Sequence, residues 1–194
     1  MDLILDIVIV LIITLVGVFI IIFNTLVMLR NNVRKAWANI DVLLQKRHDL
    51  IGRLVETVKG YMQYEKTLLV KITELRTSWV EVQEGDIQKK MNASNQITNT
   101  LKTLFANIEN YPNLKADETF QELQKAIIQI ENEIADRREF YNDTVNEYNI
   151  KIKIIPYTFF SGLLKYEPLP FFQAPEEARE PVSVKISSKS ENEQ

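Results

Sequence analysis

Cysteine is absent from the 194-residue chain, and there is a single histidine, His48. No disulfide, thiolate nucleophile or Cys-ligated metal is therefore available, nor is a His cluster. Glycine (5) and proline (6) are scarce. A β-rich protein of this size needs more turn residues, so the shortage favours long helices. There is no Gly-rich phosphate loop, no Gly-x-Ser-x-Gly and no His-Glu-x-x-His. The net charge of −3, without a basic stripe, argues against nucleic-acid binding.

What is present is unevenly distributed. From Ile7 to Phe23 no residue is charged, and the apolar run continues through Leu26, Val27, Met28 and Leu29, interrupted by Thr14, Gly17, Asn24 and Thr25. A helix over 7–29 rises roughly 34 Å, enough for a hydrocarbon core of about 30 Å. A cleaved signal peptide would carry a basic leading region and a small-residue cleavage site; here Asp2 and Asp6 precede the run, and no Ala-x-Ala site follows it. Residues 1–29 are accordingly expected to be a single, uncleaved transmembrane segment. Arg30, Arg34 and Lys35 follow it, with Lys46, Arg47 and Arg53 further on. Positive flanks stay cytoplasmic. The expected location is the cell membrane, single-pass, with the N-terminus outside and the body inside.

Residues 30–155 read as an all-α, coiled-coil-like, up-and-down four-helix bundle continuous or nearly so with the span. Val33, Trp37, Ile40, Leu44, Ile51, Leu54, Val58 and Met62 recur at threes and fours, the spacing of one buried face. A bend or break is expected near Gly60. Leu68, Leu69, Ile72, Leu75, Trp79 and Val82 form a second stripe ending at Glu84-Gly85-Asp86, where Gly suits a helix end and Asp86 a cap. The third segment, 87–107, has the thinnest stripe (Ile87, Met91, Ile97, Leu101, Leu104, Phe105, with Ile108 beyond) and is rich in Asn, Thr and Ser. A turn at Asn110-Tyr111-Pro112-Asn113 leads to the clearest segment. There Phe120, Leu123, Ile127, Ile130, Ile134, Tyr141, Tyr148, Ile152 and Ile155 alternate by three and four over about five heptads, with Arg137 and Thr144 completing the register. Asp117 is the expected N-cap and Pro156 the stop.

Residues 156–194 change character. Phe159, Phe160, Leu163, Phe171 and Phe172 lie among Gly162, Pro168 and Pro170. This is a candidate contact patch, folding back on the bundle or membrane or meeting another subunit. From Ala174 onward the composition is that of a disordered tail.

Several strings resemble the bacterial LemA family. They are Arg30-Asn31-x-Val33-x-x-Ala36-Trp37-x-x-Ile40-Asp41-Val42, Arg47-His48-Asp49-Leu50-Ile51, and Leu54-Val55-Glu56-Thr57-Val58-Lys59-Gly60-Tyr61. Further along stand Tyr111-Pro112-x-Leu114, Arg138-x-x-Tyr141-Asn142-x-x-Val145-x-x-Tyr148-Asn149, Phe172-x-Ala174 and Glu177-Ala178-Arg179-x-Pro181. Gly52 departs from the family's usual proline, and the central helices match poorly. The resemblance implies a membrane-anchored helical bundle with an outward N-terminus and no established catalytic activity. One relative takes part in forming the magnetosome membrane, and other family genes lie near membrane-protease genes, which implies membrane organisation or partner recruitment.

The candidate residues divide by role. Arg30, Arg34 and Lys35 set topology and attract anionic headgroups. Arg47 and Arg137 fall on apolar seams. Either their stems are buried with the guanidinium in water, or they pair with acids such as Glu56, Asp41 or Glu133 and fix helix register. His48, Asp49 and Arg138 are further candidate polar residues of the bundle or an interface. His48 and Asp49 make no triad, because adjacent helix residues point about 100° apart. Trp37 and Tyr141 are expected in the core. The expected function is a non-enzymatic, membrane-anchored scaffold, self-associating and organising membrane or membrane proteins, with no cofactor. The alternative is a tethered adaptor that recruits a partner such as a membrane protease.

Overall fold

The computed structural model describes residues 2–61 and 86–173, with isolated positions 70, 73, 74 and 77 between. The expected stripe over 68–82, the Glu84-Gly85 helix end and the tail from Ala174 lie outside the described residues. Among the described residues the chain is all-α, without strands.

The first helix, α1 (Asp2–Lys59), is unbroken from the apolar run into the body. No proline interrupts it, and Gly52 is accommodated without a break. It ends where expected: Gly60 and Tyr61 form a turn closed by Tyr61 N–H donating to the Val58 carbonyl at 3.0 Å. Among the described residues there follow in the body α2 (Ile87–Asn107), a 3₁₀ turn (Ile108–Asn110), the single-turn α3 (Pro112–Lys115) and α4 (Glu118–Lys151). A short α5 (Tyr157–Leu163) completes the set. Both expected caps are in place. The Asp86 carboxylate accepts from Lys89 N–H at 3.1 Å, and that of Asp117 accepts from Phe120 N–H at 2.8 Å.

The side-chain pairs that join the helices define their directions. Tyr61 bonds Asp117, Arg47 meets Glu131, and Trp37 meets Tyr141. As numbers fall on α1 they rise on α4, so these helices run antiparallel along most of their length. Lys90 reaches Asp41, and Ser94 and Thr98 reach Arg47. Thus α2 lies alongside α1 in the same direction.

One core joins them: Val33, Ile40, Leu44, Ile51, Leu54 and Val58 of α1 pack with Met91, Ile97, Leu101 and Leu104 of α2 and Phe120, Ile127, Ile134, Tyr141 and Tyr148 of α4. Most of the stripes read from spacing are therefore the buried faces. Two departures have simple causes. Helix α4 ends at Lys151, five positions before Pro156, so Ile152 is core while Ile155 is 76% exposed. Arg137 is exposed; the half-buried arginine is its neighbour Arg138, one helical step (about 100°) round. The core also extends beyond residue 30. Ile22, Leu26 and Leu29 are buried by the body, whereas Leu3 to Ile21 present almost every side chain outward.

Candidate functional site

Two polar arrangements stand out in an otherwise apolar body. The first centres on Arg47, which occupies the turn between Leu44 and Ile51 on the buried face of α1 and is 1% exposed. Its Nη1 donates to Glu131 Oε1 at 2.8 Å and to Thr98 Oγ1 at 3.1 Å; its Nη2 donates to Ser94 Oγ at 2.9 Å. Arg138 Nη2 donates to the same Ser94 Oγ at 2.7 Å. Ser94 and Thr98 lie one turn apart on α2, so a single face serves both arginines. Two cations thus share one hydroxyl, and only Arg47 bonds the carboxylate. Burial lowers the pKa of Arg47 against the opposing pull of Glu131. Arg138 is lowered to about 10, first by burial and then by the charge of Arg47. The Phe172 ring, 4.1 Å from the Arg138 guanidinium carbon, supplies the second cation with a π face instead of an acid.

The second arrangement is a clamp. After α5 and a turn at Leu164-Lys165 the chain becomes a non-helical strap over 166–173. Pro168 and Pro170 fix their own φ and hold Glu167 and Leu169 out of helical conformations. The strap crosses α4 where Tyr141-Asn142 and Tyr148-Asn149 repeat at seven-residue spacing, hence on one side of the helix. Asn149 Nδ2 donates to the Leu169 carbonyl at 2.9 Å, while Leu169 N–H donates to Asn149 Oδ1 at 2.8 Å. Asn142 treats Phe172 identically, at 3.0 and 2.7 Å. Tyr148 and Tyr141 hydroxyls donate to the Glu167 and Pro170 carbonyls, each at 3.1 Å. The strap's backbone groups, which have no helix or sheet to serve them, are satisfied by side chains of α4. Phe172 is consequently buried, its ring tilted 34° to that of Trp37 with centroids 6.3 Å apart. Burial raises the Tyr141 pKa to about 12.

Between α1, the start of α2 and the strap lies an open cleft of about 440 Å³, lined in part by Arg30, Arg34, Trp37, Asp41, Lys90 and Tyr141. Its charged rim is partly self-compensated, since Lys90 Nζ sits 3.0 Å from Asp41. Among the described residues lining it, none pairs a nucleophile with a base. Among the described residues no three His, Asp or Glu side chains converge as metal ligands would.

The sequence-derived candidates are therefore dispersed. Arg47 and Arg138 meet at Ser94. Glu131, the acid that Arg47 reaches, is not among Glu56, Asp41 and Glu133. Glu56 and Asp49 are exposed, and Arg137 lies exposed beside Glu133 and Asp136 at a second open cleft. His48 is half-buried, its Nδ1 3.4 Å from Asp49. Arg30 stacks over Tyr166 at 5.2 Å, while Arg34 and Lys35 are exposed. The aromatic patch does not form one surface: Phe172 is core, Phe160 is half-buried against α1, and Phe159, Leu163 and Phe171 face outward. Ser94 and Thr98 had a legible signal, two hydroxyls one turn apart on a helical stripe, whereas Glu131 had none. The Tyr-Asn repeat was visible too, but its strap partner was not.

The LemA family model matches residues 36–186. A protein named Magnetosome protein MamQ 2, from Paramagnetospirillum magneticum, is 25% identical over 175 residues, covering 78% of this chain and 64% of that protein. Magnetosome protein MamQ of Magnetospirillum gryphiswaldense is 21% identical over 174 residues, 77% and 64% respectively. Protein LemA of Metamycoplasma hominis is 25% identical over 151 residues, 76% and 67%. The chain thus spans just under two thirds of the length of the MamQ relatives it matches.

Proposed function

Because the chain belongs to the LemA family, we propose that it is a non-enzymatic helical scaffold tethered to the cell membrane, whose body self-associates to organise membrane or membrane proteins. The observation that carries this reading is the continuity of α1. A helix apolar enough over its first part to cross a membrane runs without a break into the core of a water-facing body. A continuous helix transmits position: the body cannot swivel freely on a linker, so its height and orientation relative to the bilayer are set. That suits a structural element better than a diffusing catalyst.

Orientation follows from charge. Acids precede the span and Arg30, Arg34 and Lys35 follow it, so the body belongs on the cytoplasmic side. Self-association is supported by large apolar side chains left exposed on the outer faces of the body: Val42 at 58%, Phe140 at 54%, Ile150 at 50% and Ile128 at 47%. These sit on the two longest helices, where copies could pack side by side. The adaptor alternative loses its simplest form, because Phe172 and Phe160 are occupied within the chain itself.

Analytical ultracentrifugation of the detergent-solubilised full chain separates the readings. A scaffold gives a defined oligomer of the pure protein. A monomer at all concentrations, becoming large only when a second protein is added, would replace self-association with partner capture.

A further inference from the structure

The most exposed apolar residues of the body are not scattered. Ile155 is 76%, Leu163 75% and Phe159 70% exposed. Phe159 and Leu163 lie four positions apart on one face of α5, and Ile155 stands one turn before. No residue from Ile154 to Leu164 is charged. The opposite face of α5 is tied down: Phe160 packs on Phe19 of α1, ring centroids 5.6 Å apart, and the buried Ser161 hydroxyl donates to the Ile152 carbonyl at 2.7 Å, closing the end of α4.

The contact with Phe19 fixes where this face lies. Counting a 30 Å hydrocarbon core from Ile7, the first residue after Asp6, brings its far edge near Leu26, so Phe19 lies roughly 10 Å inside that edge. Amphipathic helices that rest on a bilayer bury their apolar faces to about 5–10 Å. Cations and tyrosines flank the segment. Lys151 Nζ lies 4.5 Å over the Tyr157 ring and the Arg30 guanidinium 5.2 Å over Tyr166, while Lys153 and Lys165 are exposed at either end of the segment. Basic side chains with tyrosines are what a headgroup layer accommodates.

We propose that residues 154–164 form a second membrane contact, a short wedge strapped to the side of the span that places Ile155, Phe159 and Leu163 among the lipid acyl chains of the body-facing leaflet. This rests on α1 being a membrane span. The outward apolar face of α5 then continues the lipid-facing surface of α1 instead of meeting water. The clamp on the strap gains a purpose as well. By holding the strap over 166–173 along α4, it fixes α5 against α1 at that depth.

The test uses the absence of native cysteine. Full-length Phe159→Cys and Leu163→Cys chains, each carrying one nitroxide label, are reconstituted in phosphatidylcholine–phosphatidylglycerol vesicles. Ile13→Cys serves as a lipid-facing reference and Glu122→Cys as a water-facing one. Collision with dissolved oxygen and with a water-soluble nickel complex is read by power saturation. The wedge predicts labels at 159 and 163 that behave like the one at 13, oxygen-accessible and several-fold less accessible to nickel than the one at 122. Nickel accessibility equal to that at 122 overturns it. So does shielding from both reagents with spin–spin broadening, which would mean that a second copy covers the face. Should either substitution lose the far-ultraviolet helical signal, Ile155→Cys gives an independent reading of the same face. Flotation of the same samples distinguishes the failures: protein that does not float with vesicles removes the span and the wedge together, whereas floating protein with nickel-exposed labels removes the wedge alone.

Discussion

Moving a guanidinium out of water costs several kcal/mol unless the lost hydration is replaced. Arg47 replaces it with Glu131, Thr98 and Ser94, three groups on two other helices. Removing only the acid should therefore cost more than losing an ordinary surface pair. Glu131→Ala is expected to destabilise the body by about 3 kcal/mol. Replacing the pair together, Arg47→Met with Glu131→Leu, is expected to be near neutral, because it removes the desolvated charge along with its partner. Thermal melts of the full-length variants in detergent, followed by circular dichroism, check both. At the clamp, Asn149→Ala deletes one donor and one acceptor for Leu169, a local loss of about 1–3 kcal/mol. Amide exchange of Leu169 should accelerate about tenfold or more while α1 amides stay unchanged. Such residues show what a lone sequence can reveal. A polar side chain on an apolar stripe announces that it has a partner, and Arg47 does so. Which acid answers is settled by how the helices stack, so Glu131 could not be picked from its neighbours. Arg137 was misplaced because a one-residue shift on a helix turns a side chain by about 100°.

At the scale of elements, spacing and punctuation carried most of the fold. The bounds of α2, the end of α1 before Gly60 and the caps Asp86 and Asp117 follow from local chemistry. Local chemistry is present in the sequence whatever the rest of the chain does. The end of α4 and the strap were harder to see. The strap's backbone answers to Asn142 and Asn149 on α4, and the Ile152 carbonyl at the end of α4 to Ser161, all partners distant in sequence. The caps have a consequence in acid. A hydrogen bond from Lys89 holds the Asp86 carboxyl below the usual carboxylate range, and the Phe120 N–H, then Tyr61, do the same for Asp117. A depressed folded-state pKa means that the caps help above the ordinary carboxylate value, and their help drains away as pH falls through the folded value. Melting temperature should accordingly drop on acidification below about pH 4. Asp117→Ala should lower the melting temperature at neutral pH and show a shallower drop in acid.

At the scale of the molecule, the apolar run and the body are one object. Ile22, Leu26 and Leu29, which composition alone assigns to the bilayer, belong to the same core as Val33 and Ile40. Over 22–29 one side of α1 is therefore covered by the chain's own body, and the body sits close against the leaflet. The family match begins at Ala36, inside this shared helix, so the matched region and the anchor are mechanically continuous. All of this depends on the first part of α1 residing in lipid. The direct measurement is alkaline carbonate extraction of membranes from cells making the full chain. The account predicts that the protein stays in the membrane pellet and is released only by detergent. Recovery in the carbonate supernatant would contradict it.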